Sequence, residues 1–387
     1  MAKRGLLIAI GGVCGLAALA VGTASSAGPG PAGVSCSNPI QLGMLGPFTG
    51  PVASIGDDQL HWAQFFASQW NATHAVKLNI VQGDTQLNPA LASTVAQSFA
   101  SNSSIVGVIG PAGSPEVTAT APILKKAGLA FISGSASNVK LTDGSLKGFF
   151  FRDVPNDSVQ APTDASYMMS HLGVKKGSSV MIVDDQESYS TGLADAVGAA
   201  LQKAGVSVDR ESVSQKASDF SALVAKVSSS TKVVFLPFQL ASEAQLFAQQ
   251  LQSQGSKAVV FGSDGTFDSS KFTVPGSYVS FFAPDVTTIP ADAATVAAYH
   301  KQYPGGTSPF GAPNYVIAQM YAEAIAKACQ AGKGNLTRAA LRAAVAGVKL
   351  GSTILGQPVS FTPNGDVAGA KFHIFKIESG GKYVTVA

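Results

Sequence analysis

Chemistry needs residues that move protons, attack or hold charge, and this chain has few of them in useful arrangements. Its five histidines, His61, His74, His171, His300 and His373, are scattered, and none has metal-ligand spacing. There is no H-E-x-x-H pair, no G-x-S-x-G elbow and no S-x-x-K set with its partner motifs. A G-x-x-x-x-G-K-[ST] phosphate cradle is absent, and no G-x-G-x-x-G follows the first strand. Asp184, Asp185 and Glu187 form an acidic cluster after an apolar run. Paired carboxylates can do acid–base work, but the cluster reads more simply as a solvated strand-end loop. What remains are hydroxyls and backbone groups in short loops after apolar runs, such as Ser114, Ser135 and Ser137. Such groups suit holding a small molecule. The expectation is a non-enzymatic protein without metal or cofactor.

The elements that must position these residues alternate regularly. Strand-like runs at 40–45, 77–81, 105–109 and 129–132 are separated by helical stretches at 57–71, from 89 onward, and at 115–126. In the first helical stretch Leu60, Ala63, Phe66, Ala67 and Trp70 share a stripe, and Asp57 and Asp58 fall in its expected first turn. Asn88 followed by Pro89 is a strong helix start. After a pause at 149–157 the pattern resumes. Helices are expected at 159–172, 190–204, 219–228 and 242–254, with strands at 179–183, 206–210, 233–236 and 258–261. This alternation implies parallel sheets with helices on both faces. A strand at 278–282, three helices at 291–303, 314–331 and 336–345, and returning strands at 359–361 and 370–376 complete the chain. The fold class is therefore α/β, with two doubly wound parallel-sheet units. At 387 residues the chain suits two domains.

Composition narrows the setting. Charged residues are 13% of the chain and the formal net charge is +3, with Lys3 and Arg4 supplying two of those charges. No Lys/Arg cluster is interleaved with aromatics, which argues against a nucleic-acid partner. Lys3 and Arg4 precede an apolar run at 6–21, and small residues follow, with Ser25 and Ala27 spaced like the −3 and −1 positions of an export signal. The run is 16 residues, short of the ~20 that cross a bilayer. Export with cleavage near Ala27 is expected, followed by a Gly/Pro/Ala linker over 28–37. Cys14 leaves with the signal. Cys36 and Cys329 then form an even pair in an oxidising compartment, where a disulfide persists. The rival for Cys36 is a lipid anchor. Gly33, Val34 and Ser35 make a poor lipobox and Cys36 lies far from the apolar run, so the disulfide is favoured.

Several segments together carry a resemblance. They are I-Q-L-G-M-L-G-P-F-T-G-P over 40–51 with Gly56, V-G-V-I-G-P-A-G-S over 106–114, and F-I-S-G-S-A-S-N over 131–138 with Leu141 and Thr142. Further on stand D-D-Q over 184–186 with Tyr189 and Gly192, D-F-S over 219–221, and G-S-D-G over 262–265. In this order, over about 38–379, the chain resembles the type I periplasmic binding proteins of the leucine/isoleucine/valine-binding group, receptors of ABC importers. Two departures stand out. The family's cysteine pair near residues 84–89 and Gly113 is missing, and Ile55 stands where some members carry an aromatic.

The resemblance implies two lobes joined by three crossing strands, near 150–157, 278–285 and 356–363. One lobe would comprise 38–154 plus 284–357 and the other 155–283 plus 358–387, with solute in the cleft between them. Ligands of open α/β sheets bind beyond the carboxyl ends of the strands, and Ser114 lies there at a helix start, suited to a carboxylate or to plain N-capping. Backbone groups of Ser135, Ala136 and Ser137 would hold both ends of a zwitterion. Asp264 resembles the family's partner for the ligand ammonium, and Tyr189 would close over the ligand. Phe48, Phe238, Phe267 and Tyr315, with Ile55, are candidates for the side-chain wall. The implied function is a monomeric receptor that passes an amino acid, branched-chain or aliphatic, to membrane permease subunits. Small carboxylates, aromatic acids, amides, urea, or a sensor role remain alternatives.

Overall fold

A computed structural model describes Cys36 and residues 40–304 and 308–387. The export signal expected over 1–27 and, Cys36 apart, the linker expected over 28–37 lie outside the described residues.

The first unit runs β1 (Gln41–Gly46), α1 (Ala53–Thr73), β2 (Asn79–Asp84), α2 (Pro89–Ser101), β3 (Ile105–Ile109), α3 (Ser114–Lys126), β4 (Ala130–Ser133) and β5 (Phe150–Arg152). Its sheet has the order β2-β1-β3-β4-β5 and every pairing is parallel. β3 is buried along its whole length, which is why it reads as an uninterrupted apolar run. Asn88 caps α2 through bonds from the backbone of Ala90 and Leu91, with Pro89 at the first helical position.

The second unit runs α4 (Asp157–His171), β6 (Ser179–Asp184), α5 (Ser188–Lys203), β7 (Ser207–Ser212), α6 (Ser221–Val224), β8 (Thr231–Leu236), α7 (Ala241–Ser253), β9 (Val259–Gly262) and β10 (Tyr278–Phe281). Three helices follow, α8 (Ala293–Gln302), α9 (Gly311–Ala331) and α10 (Arg338–Ala346), then β11 (Lys349–Leu350), β12 (Val359–Ser360), β13 (His373–Ile377) and β14 (Tyr383–Thr385). The second sheet has the order β14-β13-β10-β9-β8-β6-β7, antiparallel only at β13 and β14.

α9 returns to the first sheet. The Tyr321 hydroxyl receives the Val108 N–H at 3.1 Å and lies 2.8 Å and 2.9 Å from the Val108 and Ala130 carbonyls. Gly107 makes room, since a methyl there would meet the Tyr321 ring at 2.5 Å. The chain thus passes between the two sheets after β5, after β10 and before β13.

Two expectations need correction. α1 begins at Ala53, so Asp57 and Asp58 fall in its second turn and not its first; Asp58 is buried, with the Tyr299 hydroxyl 3.2 Å away. The helix expected over 219–228 is a single turn, Ser221–Val224, because its tail is the poor helix-forming run Ser228, Ser229, Ser230. The strand expected near 150–157 is present as the edge strand β5.

Cys36 and Cys329 are joined by a disulfide with Cα atoms 5.6 Å apart, closing 293 residues of sequence separation. It ties the segment before β1 to α9. Reduction is expected to lower stability by about 2–5 kcal/mol, read as a lower urea midpoint in the presence of a thiol reductant. Two free thiols, or a diacylglycerol on Cys36, in the mass spectrum of unreduced protein would contradict the linkage.

Candidate functional site

The carboxyl ends of both sheets face a common cleft, and a cavity of about 50 Å³ lies between them. The first unit contributes Pro47, Val52, Ile55, Leu87, Ala112, Gly113, Ser114 and Ser135, together with Phe310 at the start of α9. The second contributes Tyr189, Gln239, Asp264 and Gly265. The two units touch around it: Asn138 Nδ2 donates to the Ser188 carbonyl at 2.6 Å, and Lys271 Nζ to the Pro51 carbonyl at 2.6 Å.

Ser114 is the first residue of α3 and Gly113 is its cap, so Ser114 does not cap its own helix. Its Oγ accepts the Asn138 N–H at 3.2 Å, which leaves the hydroxyl hydrogen to donate toward the cavity. Gly113 N–H is taken by Glu116 Oε2 at 2.8 Å. Ser135 lines the cavity, but its hydroxyl donates to the Ala112 carbonyl and accepts from Gln59 Nε2.

Ala136 and Ser137 do not line the cavity. Ala136 is buried, its N–H bonded to Ser133 Oγ and its carbonyl to Arg152 Nη1. Ser137 is buried beside Asp157. Four of the five candidate wall residues also lie outside the lining, each held by its own packing. Phe48 covers Gly46, and Phe238 stacks on Phe220 in the second unit's core. Phe267 packs on Phe281, Phe375 and Tyr383, and Tyr315 sits among Trp62, Phe65 and Phe66. Ile55 alone of that set reaches the cavity.

Among the described residues Asp264 is the one acidic side chain lining the cavity, and no cationic side chain lines it. The Tyr189 hydroxyl donates to Asp264 Oδ1 at 2.6 Å, and Ser263 Oγ lies 2.7 Å from that hydroxyl on its other side. Behind Asp264, α4 carries Asp157, Gln160 and Asp164 at helical spacing, all buried. Burial raises the Asp264 carboxyl to about 6, against bonds from Tyr189 and Gln160. Burial, with Asp264 nearby, raises Asp157 to about 7, and burial holds Asp164 and Asp153 well above the usual carboxylate range. Asp264, Asp157 and Asp164 lie close enough for the charge on one to oppose ionisation of the others.

This arrangement has a consequence for stability. Burial also raises Asp58 to about 8 and Glu116 to about 7. Between about pH 4, where these groups titrate when unfolded, and pH 8, the folded state binds more protons than the unfolded one. Stability therefore falls as pH rises through that window. The unliganded protein is expected to show a higher urea midpoint at pH 5 than at pH 8; the reverse order would contradict these assignments.

Sequence reasoning missed Leu87, Gln239, Gly265 and Phe310. Leu87 enters the cavity because Gln86 and Leu87 both adopt the left-handed conformation, at φ of 52° and 57°, which no glycine announces. Gly265 lies so close to the second unit's backbone that a methyl would meet the Phe238 carbonyl at 2.4 Å.

The sequence profile of the periplasmic binding protein family matches residues 39–382, and the chain belongs to that family. It is 28% identical over 355 residues to an amino acid binding protein of Pseudomonas aeruginosa, covering 89% of this chain and 91% of that one. It is 25% identical to the leucine-specific-binding protein of Salmonella typhimurium, covering 95% and 96%. Among solved structures, a leucine-binding protein of Thermotoga maritima shares the fold with a TM-score of 0.80 at 19% identity, covering 90% of this chain and 98% of its own. A fatty acid ABC transporter substrate-binding protein of Thermomonospora curvata does so at 0.79 and 21% identity, covering 92% and 93%.

Proposed function

We propose that the protein is the exported solute-binding receptor of an ABC importer. It takes an amino acid of branched-chain or aliphatic type between its lobes and delivers it, as a monomer, to membrane permease subunits. Export follows from the basic, apolar and small-residue pattern of the first 27 residues. Among the described residues no helix is long and apolar enough to cross a membrane.

The observation that carries the ligand class is Asp264. Relatives named for leucine and a similarly folded fatty acid receptor stand side by side, so fold alone does not choose between an amino acid and a simple carboxylate. A buried carboxylate, with no cationic side chain lining the cavity among the described residues, favours the amino acid. It would repel an acid that has no amine, and it would satisfy an ammonium brought by the solute. Val52, Ile55, Leu87 and Phe310 supply an apolar wall for a hydrocarbon side chain.

A thermal-shift panel tests this. L-leucine, L-isoleucine and L-valine are set against small carboxylates, aromatic acids, amides and urea. A solute at 100 times its Kd adds about 2.7 kcal/mol. The branched-chain amino acids are expected to raise the midpoint; a rise only with compounds lacking an amine would overturn the proposal.

A further inference from the structure

Gln239 sits at the end of β8's loop, lines the cavity from the second lobe and is only 8% exposed. Three contacts fix how its amide points. Its backbone N–H donates to Asp185 Oδ2 at 2.8 Å, and its Oε1 accepts from Gln215 Nε2 at 3.0 Å. Gln215 Nε2 also lies 3.4 Å from Asp185 Oδ2. Asp185 is itself held, accepting the Glu187 N–H at 3.0 Å and giving its own N–H to Ser190 Oγ at 2.9 Å.

With Oε1 engaged from behind, Gln239 Nε2 faces the opposite lobe. A methyl built on Gly113 would lie 3.6 Å from that nitrogen. Gly113 and Ser114 are the start of α3, whose dipole favours negative charge. Among the described residues Oε1 is the amide atom of Gln239 that is engaged, and Nε2 donates to no protein acceptor. An amide donor placed on the cavity opposite a helix start is positioned to share an oxygen anion with it.

We infer that Gln239 is the second lobe's donor to the solute carboxylate, closing on it from the side opposite Ser114, with Gln215 and Asp185 as positioning residues. The inference rests on the amino acid reading of the cleft. It gives each lobe a hold on the carboxylate, and it gives the second lobe both ends of the zwitterion, Asp264 for the ammonium and Gln239 for the carboxylate. The acidic cluster at 184–187 thereby has a use that is neither catalytic nor merely solvated: Asp185 aims Gln239.

Calorimetric titration with L-leucine of the unmodified protein, Gln239→Met and Gln239→Glu tests it. Methionine keeps the length and removes the donor, and a lost bond to a charged group weakens binding roughly 10- to 100-fold. Glutamate keeps the shape and an oxygen to accept from Gln215, so a purely structural role would tolerate it better than methionine. The inference predicts the opposite order, with Gln239→Glu the weaker binder because it sets an anion against the carboxylate. Thermal midpoints of the unliganded variants within a few degrees of the unmodified protein exclude misfolding. Unchanged affinity in Gln239→Met, or tighter binding in Gln239→Glu, would overturn the inference alone. Failure of the unmodified protein to bind L-leucine, L-isoleucine or L-valine would overturn it together with the proposed function.

Discussion

Asp264→Asn is expected to abolish most amino acid binding while leaving the fold intact. Asp264 is buried and lines the cavity, and the partner proposed for it is the solute ammonium. Removing one side of a desolvated ion pair costs about 3–5 kcal/mol, which is over a hundredfold in affinity. Asparagine keeps an oxygen for the Tyr189 hydroxyl, so the local network survives. The unliganded variant should be at least as stable, because a buried carboxylate whose burial opposes ionisation has been replaced by a neutral group. Calorimetry on the purified variant checks the first expectation and urea unfolding the second. An affinity loss below about fivefold would sink the role given to Asp264.

Arg152→Ala is expected to cost about 3–5 kcal/mol of stability, a large share of the 5–15 kcal/mol typical of a folded protein. The guanidinium is fully buried where the chain first leaves the first lobe. Its Nε bonds Asp366 Oδ1 at 2.7 Å, Nη1 bonds the Ala136 and Asn138 carbonyls at 2.9 Å each, and Nη2 bonds Thr142 Oγ1 at 2.6 Å. It thus pins the loop after β4, which carries Ser135 and Asn138, to the turn before β13. Lysine cannot replace it, since one ammonium does not reproduce the planar fork. Urea unfolding of Arg152→Ala and Arg152→Lys should show both destabilised. A loss under about 1 kcal/mol in the alanine variant would place Arg152 among ordinary surface pairs.

How much of this was legible follows the range of the interactions. β3 and the start of α2 were readable because their signals are local: a continuous apolar run in one, Asn88 and Pro89 in the other. The α/β class was readable because periodicity repeats. Four site residues, Ser114, Ser135, Tyr189 and Asp264, were reached through position after strands and through family resemblance, and all four line the cavity. Ala136 and Ser137 share the Ser135 loop in sequence, yet their groups turn inward to Ser133, Arg152 and Asp157. Gln239 was beyond reach because what aims it lies 54 residues away, at Asp185. Leu87 was hidden for a different reason: it adopts a left-handed backbone that its residue type does not favour. The aromatic wall was overestimated because large rings near a cleft are most often the cores of the lobes themselves, as Phe238 and Phe267 are.

The central claim is that this cleft is built for a solute carrying both an ammonium and a carboxylate. Calorimetric titration of the mature protein at pH 7.5 with L-leucine and with 4-methylpentanoate, the same skeleton without its amine, tests it most directly. The account predicts binding of L-leucine and at least a hundredfold weaker binding of 4-methylpentanoate. Equal or tighter binding of 4-methylpentanoate would contradict it.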